Sequence, residues 1–246
     1  MRTVLYGIGV MGLVLFAGVV QAASLRVSPT NLEMTVPGSA GILTLTNEAK
    51  RPINVQIRVF RWTQVNGAEQ LDPTNDVVVS PPSTSLSANK DYAIRVLRVA
   101  KKPVVGEESY RVIVDELPDP SRKKAGAVTL VVRYSIPVFF KDQDATPPKV
   151  DWGIAKTKGS LVLTARNTGD MRLRLADVQL TQQGRVLGAR EGLVGYVLGG
   201  ASMQWPIAGG HSVSAGSIGL KAQSEIRVVE CRYCDQRPLG WGRLFA

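Results

Sequence analysis

One histidine, His211, and two cysteines, Cys231 and Cys234, are the whole supply of imidazole and thiol in this 246-residue chain. A Ser-His-Asp or Cys-His nucleophile needs a histidine held by a third group. His211 lies in AGGHSVSAG, a run of small residues that suits a solvated loop. A lone CxxC with no second pair is a poor zinc site. A thioredoxin-like pair belongs at a helix start in a βαβ unit, which nothing around ECRYCDQ supplies. In an oxidising compartment the two cysteines either bond to each other or stay as inert thiols. No glycine-rich phosphate cradle occurs, and no close carboxylate pair stands in a glycosidase-like setting. The chain is therefore not expected to be an enzyme, and neither a cofactor, a metal nor a small-molecule substrate is expected.

Long apolar runs are absent after the first two dozen residues. MRTVLYGIGVMGLVLFAGVVQAA has one cation, Arg2, a glycine-broken apolar stretch, then small residues. Val20 and Ala22 stand where a signal peptidase needs small side chains, so residues 1–22 read as a cleaved leader. The mature protein is expected to be exported and soluble. The charge is basic, 30 Lys and Arg against 20 Asp and Glu. The cations are scattered and no nucleic-acid motif is present, so nucleic acid is not an expected partner.

Strand patterns dominate what remains. Before residue 145 they are LRVSPTNLEM, GILTLTN, INVQIRVFRWTQV, YAIRVLRVA, ESYRVIVDEL and AVTLVVRYSIPVFF. After it come SLVLTARNTG, MRLRLADVQLTQQG, REGLVGYVLGG, MQWPI and SEIRVVECRY. Residues 72–92 read as a polar loop carrying the chain between sheets. Val55, Ile57 and Val59 alternate with Gln56, Arg58 and Phe60, while Leu173, Leu175 and Val178 alternate with a shift near Asp177. Many short strands with turn signals between them predict an all-β fold of sandwich type. Pro147 and Pro148 mark a linker. The division expected is a leader at 1–22, one sandwich at 23–145 and a second at 146–246.

The longest apolar strand raises a separate question. From Val128, every second residue is apolar or aromatic: Val128, Leu130, Val132, Tyr134, Ile136, Val138 and Phe140. Ordinary strands run roughly five or six residues, and Pro137 is unwelcome inside a sheet.

The opening LRVSP, ESYRVIVDELP, RYSIPVFF, NTGDMRLRLADVQL and GYVLGGASMQWPI, in this order, resemble the periplasmic chaperones of the chaperone–usher pathway that assembles pili, closest to the archaic or alternative branch. The resemblance implies two immunoglobulin-like sandwiches set at an angle, boomerang-like. It implies partners: pilus subunits and an outer-membrane usher. It also implies donor-strand complementation, in which the long strand lends itself to an incomplete subunit. Val128, Leu130 and Val132 are then the donor residues, and Ile136, Val138 and Phe140 belong to the chain's own core. The better-known branch grips the client's C-terminal carboxylate with two basic residues. Their positions fall here on Asn31 and Pro137, neither of them basic. Arg95, Arg133 and Lys141 are the substitute cations, Arg95 first, on the expectation that its strand adjoins the donor strand. A structural pilus subunit or adhesin, or a generic periplasmic two-sandwich binding module, are the alternatives.

Overall fold

The computed structural model describes residues 25–118, 131–157, 160–209, 217–224 and 228–231. The leader, Val128, Leu130, His211 and Cys234 lie outside the described residues, as does the Cys231 side chain.

The described residues form strands and connections, with no helix. The first sandwich opposes two sheets. One holds β1 (Leu25–Ser28), β3 (Ala40–Asn47), β8 (Lys90–Arg98) and β6 (Val77–Ser80), in the order β1-β3-β8-β6. The other holds β2 (Leu32–Thr35), β10 (Arg133–Lys141), β9 (Glu107–Leu117), β4 (Ile53–Val65) and β5 (Ala68–Pro73), in the order β2-β10-β9-β4-β5, with β7 (Ser83–Leu86) also on β4. The second sandwich has sheets β11-β12-β15 and β14-β13-β16-β17, built from β11 (Val150–Thr157), β12 (Ser160–Asn167), β13 (Leu173–Gln182), β14 (Arg185–Val197), β15 (Ser202–Ala208), β16 (Gly219–Gln223) and β17 (Val228–Cys231). Each sandwich is filled from both inner faces, the first by side chains such as Leu43, Val55, Ile94 and Val112, the second by Leu161, Leu163, Leu175 and Ile207. Removing that apolar surface from water is the main favourable term in such a fold.

The sequence patterns become strands with three differences. LRVSPTNLEM is two strands in opposite sheets, because the chain crosses over at Pro29, Thr30 and Asn31. The polar segment 72–92 does cross between sheets, but it contains β6 and β7, each with one buried apolar residue, Val77 and Leu86. Strand β16 hides in SIGLKAQ, where Leu220 and Ala222 are buried and glycine and lysine dilute the pattern. The predicted irregularity at Asp177 is a bulge, with Asp177 at φ 49 and register shifts on either side.

Asparagine closes one turn in each sandwich in the same way. Asn47, at the end of β3, accepts from the Ala49 N–H and donates to the carbonyls of Arg51 and Leu86. Asn167, at the end of β12, accepts from the Gly169 N–H and donates to the carbonyl of Met171. Asn167 also accepts from the N–H of Lys149, and the Thr168 N–H donates to the Lys149 carbonyl. Thr146 is tied to Asp170 through both its N–H and its hydroxyl. The Pro-Pro linker is thus laced along a turn of the second sandwich.

The two sandwiches meet over the outer face of β4, β9 and β10. Trp62, Phe139, Tyr196 and Leu198 form a shared apolar cluster. Gln64 accepts from the Leu198 N–H and donates to the Tyr196 carbonyl, both at 2.9 Å. This cover explains why alternation along β4 changes at its end: Ile53, Val55 and Ile57 are buried inward, whereas Trp62 is buried on the opposite face. The hairpin beyond turns at Asn66 and Gly67, both at positive φ, as a two-residue hairpin turn requires.

Candidate functional site

Strand β10 is an inner strand for only part of its length. Antiparallel pairing with β9 runs from Arg133 to Lys141. Parallel pairing with β2 begins at Val138, opposite Leu32, and also ends at Lys141. From Arg133 to Pro137 the second side of β10 has no neighbour among the described residues.

Hydrogen-bond direction settles which groups that open side presents. The Glu116 N–H donates to the Val132 carbonyl, and the Val132 N–H reaches the Glu116 carboxylate. Residue 132 and its even-numbered successors therefore face β9 in an antiparallel ladder, and the odd-numbered ones face away. On the far side, the Val36 N–H donates to the Lys141 carbonyl, as this parity demands. The N–H and C=O of Arg133 and Ser135 thus point to the open edge. Pro137 also belongs to that edge, so its missing N–H removes nothing from the β9 ladder. This is the physical reason a proline is tolerated here.

Side chains follow the same parity. Ile136, Val138 and Phe140 are buried in the first core, and Tyr134 packs against it. Val132, the one expected donor residue within the described chain, is half-buried on that same face. Phe140 meets Tyr110 edge to face at 5.9 Å. Phe139, on the other face, lies under the second sandwich.

The open edge ends at a row of outward-facing residues. Asn31 immediately precedes β2, Pro137 pairs with Arg111 on β9, and Arg111 pairs with Phe60 on β4. Arg111 is the cation of this row. Its guanidinium lies 3.7 Å from the centroid of the Trp62 ring and 5.6 Å from that of Tyr196, with its side chain 13% exposed. Burial pushes its pKa down, with Glu69 and Tyr196 acting the other way; an arginine remains charged regardless. Its one carboxylate neighbour among the described residues, Glu69, stands 3.8 Å away, too far for a good hydrogen bond. The same cluster holds a buried donor without an acceptor among the described residues, the indole N–H of Trp62.

The other cations are placed differently. Arg95 lies on β8, between β3 and β6, paired with Ile42 and Ser80 and exposed on the outside of the opposite sheet. The expectation that its strand adjoins β10 is overturned. β8 and β9 are consecutive, but the connection at 99–106 carries the chain from one sheet to the other. Lys141 bonds Glu33 at 2.5 Å. Glu33 also takes Arg172 at 2.6 Å, and Arg172 takes Glu107 at 2.5 Å with both side chains almost fully buried. Arg172 lies 3.6 Å from the centroid of the Phe139 ring. Burial would raise the pKa of Glu33, but its two cationic partners together hold it below the usual carboxylate range. Glu107, buried more deeply, is pushed up by desolvation despite Arg172. Lys141 thus belongs to the lock between sandwiches. Arg133 sits at the start of the open edge, bonded to Asp115, which Arg58 also holds at 2.6 Å.

Arg111 is not among the cations singled out in the sequence. The signal was available: Tyr110, Val112 and Val114 point inward, so Ser109, Arg111 and Asp115 must point out.

Comparison with known proteins gives a consistent result. Residues 24–145 match the sequence profile described as pili and flagellar-assembly chaperone, PapD N-terminal domain. Comparison with curated protein sequences finds no match. Among solved structures, a chain of the CsuC–CsuE chaperone–tip adhesion subunit complex of archaic Csu pili from Acinetobacter baumannii is similar at 24% identity and TM-score 0.67, covering 87% of this chain and 100% of that one. The E. coli chaperone DraB is similar at 22% identity and TM-score 0.57, over 85% and 98%. A chain of the Salmonella enterica SafA pilin–SafB chaperone complex is similar at 18% identity and TM-score 0.61, over 86% and 97%. These likenesses establish the fold, two immunoglobulin-like sandwiches. The profile match establishes the family, and the chain belongs to the pilus-assembly chaperones.

Proposed function

We propose that this protein holds pilus subunits by donor-strand complementation and passes them to an outer-membrane usher, as a periplasmic chaperone of the archaic or alternative branch. The observation that carries the reading is the half-open strand β10, whose unpaired edge ends beside Arg111. A client strand laid along Arg133–Pro137 must stop where β2 begins at Val138. A strand parallel to β10 meets β2 with its C-terminus, and its terminal carboxylate then falls in the row Asn31–Pro137–Arg111. The basic residues expected at positions 31 and 137 are replaced by one cation a single strand further in. A stacked guanidinium short of hydrogen bonds suits a carboxylate, which it can take by two parallel N–H bonds. Val132, with Val128 and Leu130 ahead of it, supplies apolar side chains to the client groove. The boundary between the sandwiches is placed at 145/146, the leader is removed after Ala22, and no catalytic step is assigned.

The test is co-expression with a subunit and co-purification. Truncating one partner of a buried charged pair costs about 2–5 kcal/mol. Arg111→Ala should abolish capture, with the free protein still folded by its thermal melt. Arg111→Lys keeps the charge but loses the paired N–H geometry and should restore only part of it. Unchanged yield from Arg111→Ala, with Arg95→Ala abolishing capture, would move the contact to the opposite sheet.

A further inference from the structure

Arg133 is a poor candidate for the terminal carboxylate, because it lies four residues before Pro137, about 13 Å along the strand at 3.3 Å per residue. Its own chemistry is nevertheless incomplete. Its side chain is 67% exposed. Nε donates to Asp115, and its two terminal nitrogens have no acceptor among the described residues. Asp115 is shared with Arg58, so two cations face one anion on this stretch of sheet. The outer-face neighbours are Gln56 and Arg58 on β4, Asp115 and Ile113 on β9, and Ser135 on β10. On the outer face two cations therefore share one anion at a defined rung of the open edge, while the Glu116 carboxylate is turned to the Val132 N–H on the β9 side.

We propose that Arg133 selects an acidic side chain in the client strand, at the position four residues before the client's last. The inference rests on the parallel, donor-strand placement above. With the last client residue beside Pro137, the residue two before it lies beside Ser135 and the residue four before it beside Arg133. Those alternate client side chains share the outer face with Arg133, because strand periodicity is two. Laterally opposed residues of opposite charge on one face attract, and like charges repel. Arg133 thus sets client register and choice, while Arg111 holds the end.

Twelve-residue synthetic peptides of alternating Val and Thr, with a labelled soluble tail and a free C-terminus, provide the probe. They carry Glu, Gln or Lys four residues before the last and are titrated against the full chain by fluorescence anisotropy. Exposed ion pairs are weak, so Glu should bind about two- to five-fold more tightly than Gln, and Gln than Lys by a similar factor. Arg133→Gln should flatten the series, and Arg133→Glu should reverse it, an inversion that a merely structural residue would not produce. Equal binding of the three peptides, with tight binding still needing the free carboxylate and Arg111, overturns the role of Arg133 alone. Carboxy-amidated peptides binding as well as free acids and indifferent to Arg111→Ala, or no binding by any peptide, overturn the strand placement and this proposal with it.

Discussion

Between Val138 and Lys141, β10 has a strand on each side, a core beneath it and a second sandwich above it. Between Arg133 and Pro137 it has β9 on one side and, among the described residues, no partner on the other. Both stretches carry the same alternating apolar pattern, so hydrophobic periodicity does not separate them. Their neighbours do. The closed stretch is fixed by β2, by Phe139 under Tyr196 and by Lys141 in the Glu33–Arg172–Glu107 lock. The open stretch presents backbone groups and a row of charges. On the proposed function, stability and client binding are divided along one strand, and substitutions in its two parts should have opposite signatures.

The largest effects are expected in the closed stretch. Removing one member of a buried ion pair leaves an unpaired charge and costs about 3–5 kcal/mol. Arg172→Ala should lower the urea midpoint of the free protein by a corresponding amount. Combining it with Glu107→Leu should recover much of the loss, since paired apolar replacement of a buried ion pair is often neutral. Phe140→Ala should cost about 3–5 kcal/mol through the cavity it leaves, measured the same way. A midpoint unchanged by both would show that this stretch is not fixed as described.

A smaller effect follows from pH. Glu33 has its folded-state pKa held down by Lys141 and Arg172, so its stabilising contribution is present above its ordinary value of 4.5 and is lost as pH falls through the lowered one. Glu107 has its pKa raised, so its ionisation works in the opposite sense, and protonating it relieves a cost as pH falls. Glu33→Gln should therefore flatten the acid limb of a melting-temperature profile below about pH 4.5, whereas Glu107→Gln should not flatten it. An identical acid limb in wild type and Glu33→Gln would remove Glu33 from the lock.

The smallest effect belongs to the open stretch. Ser135→Pro removes an N–H that faces the empty edge. The free protein's melt should hardly move, because the β9 ladder is untouched. Client capture should weaken by the value of one hydrogen bond, about 0.5–1.5 kcal/mol, or roughly two- to twelve-fold. A marked drop in melting temperature would mean that the parity assigned to β10 is inverted.

Much of this was legible in the sequence. The strand-only fold, the two sandwiches and the irregularity at Asp177 follow from local periodicity and local turn residues, whereas the burial of Ile136, Val138 and Phe140 in the chain's own core was implied by the family resemblance. The candidate anchor did not, because it depends on lateral neighbours. Arg95 and Arg111 sit in consecutive, similar-looking strands, YAIRVLR and SYRVIVDEL, and only the crossing of residues 99–106 between sheets decides which one borders β10. The lock was illegible for the same reason. Glu33, Glu107 and Lys141 come from separate strands that meet only in the folded first sandwich, and Arg172 joins them only when the second sandwich covers it.

Pro137 interrupts the open row of donors at the point nearest the cleft. On the proposed placement, a guest strand zipped along Arg133 and Ser135 would reach its last rung with one fewer amide to grasp, its tip tethered by charge and its body by the ladder. Those two grips fail differently. The tether lets go in a single event when its one cation is displaced or screened, while the ladder peels rung by rung from the other end. A cargo held in this way can be kept for long periods and still be unfastened by a competing strand that starts at the far end and needs no chemical energy.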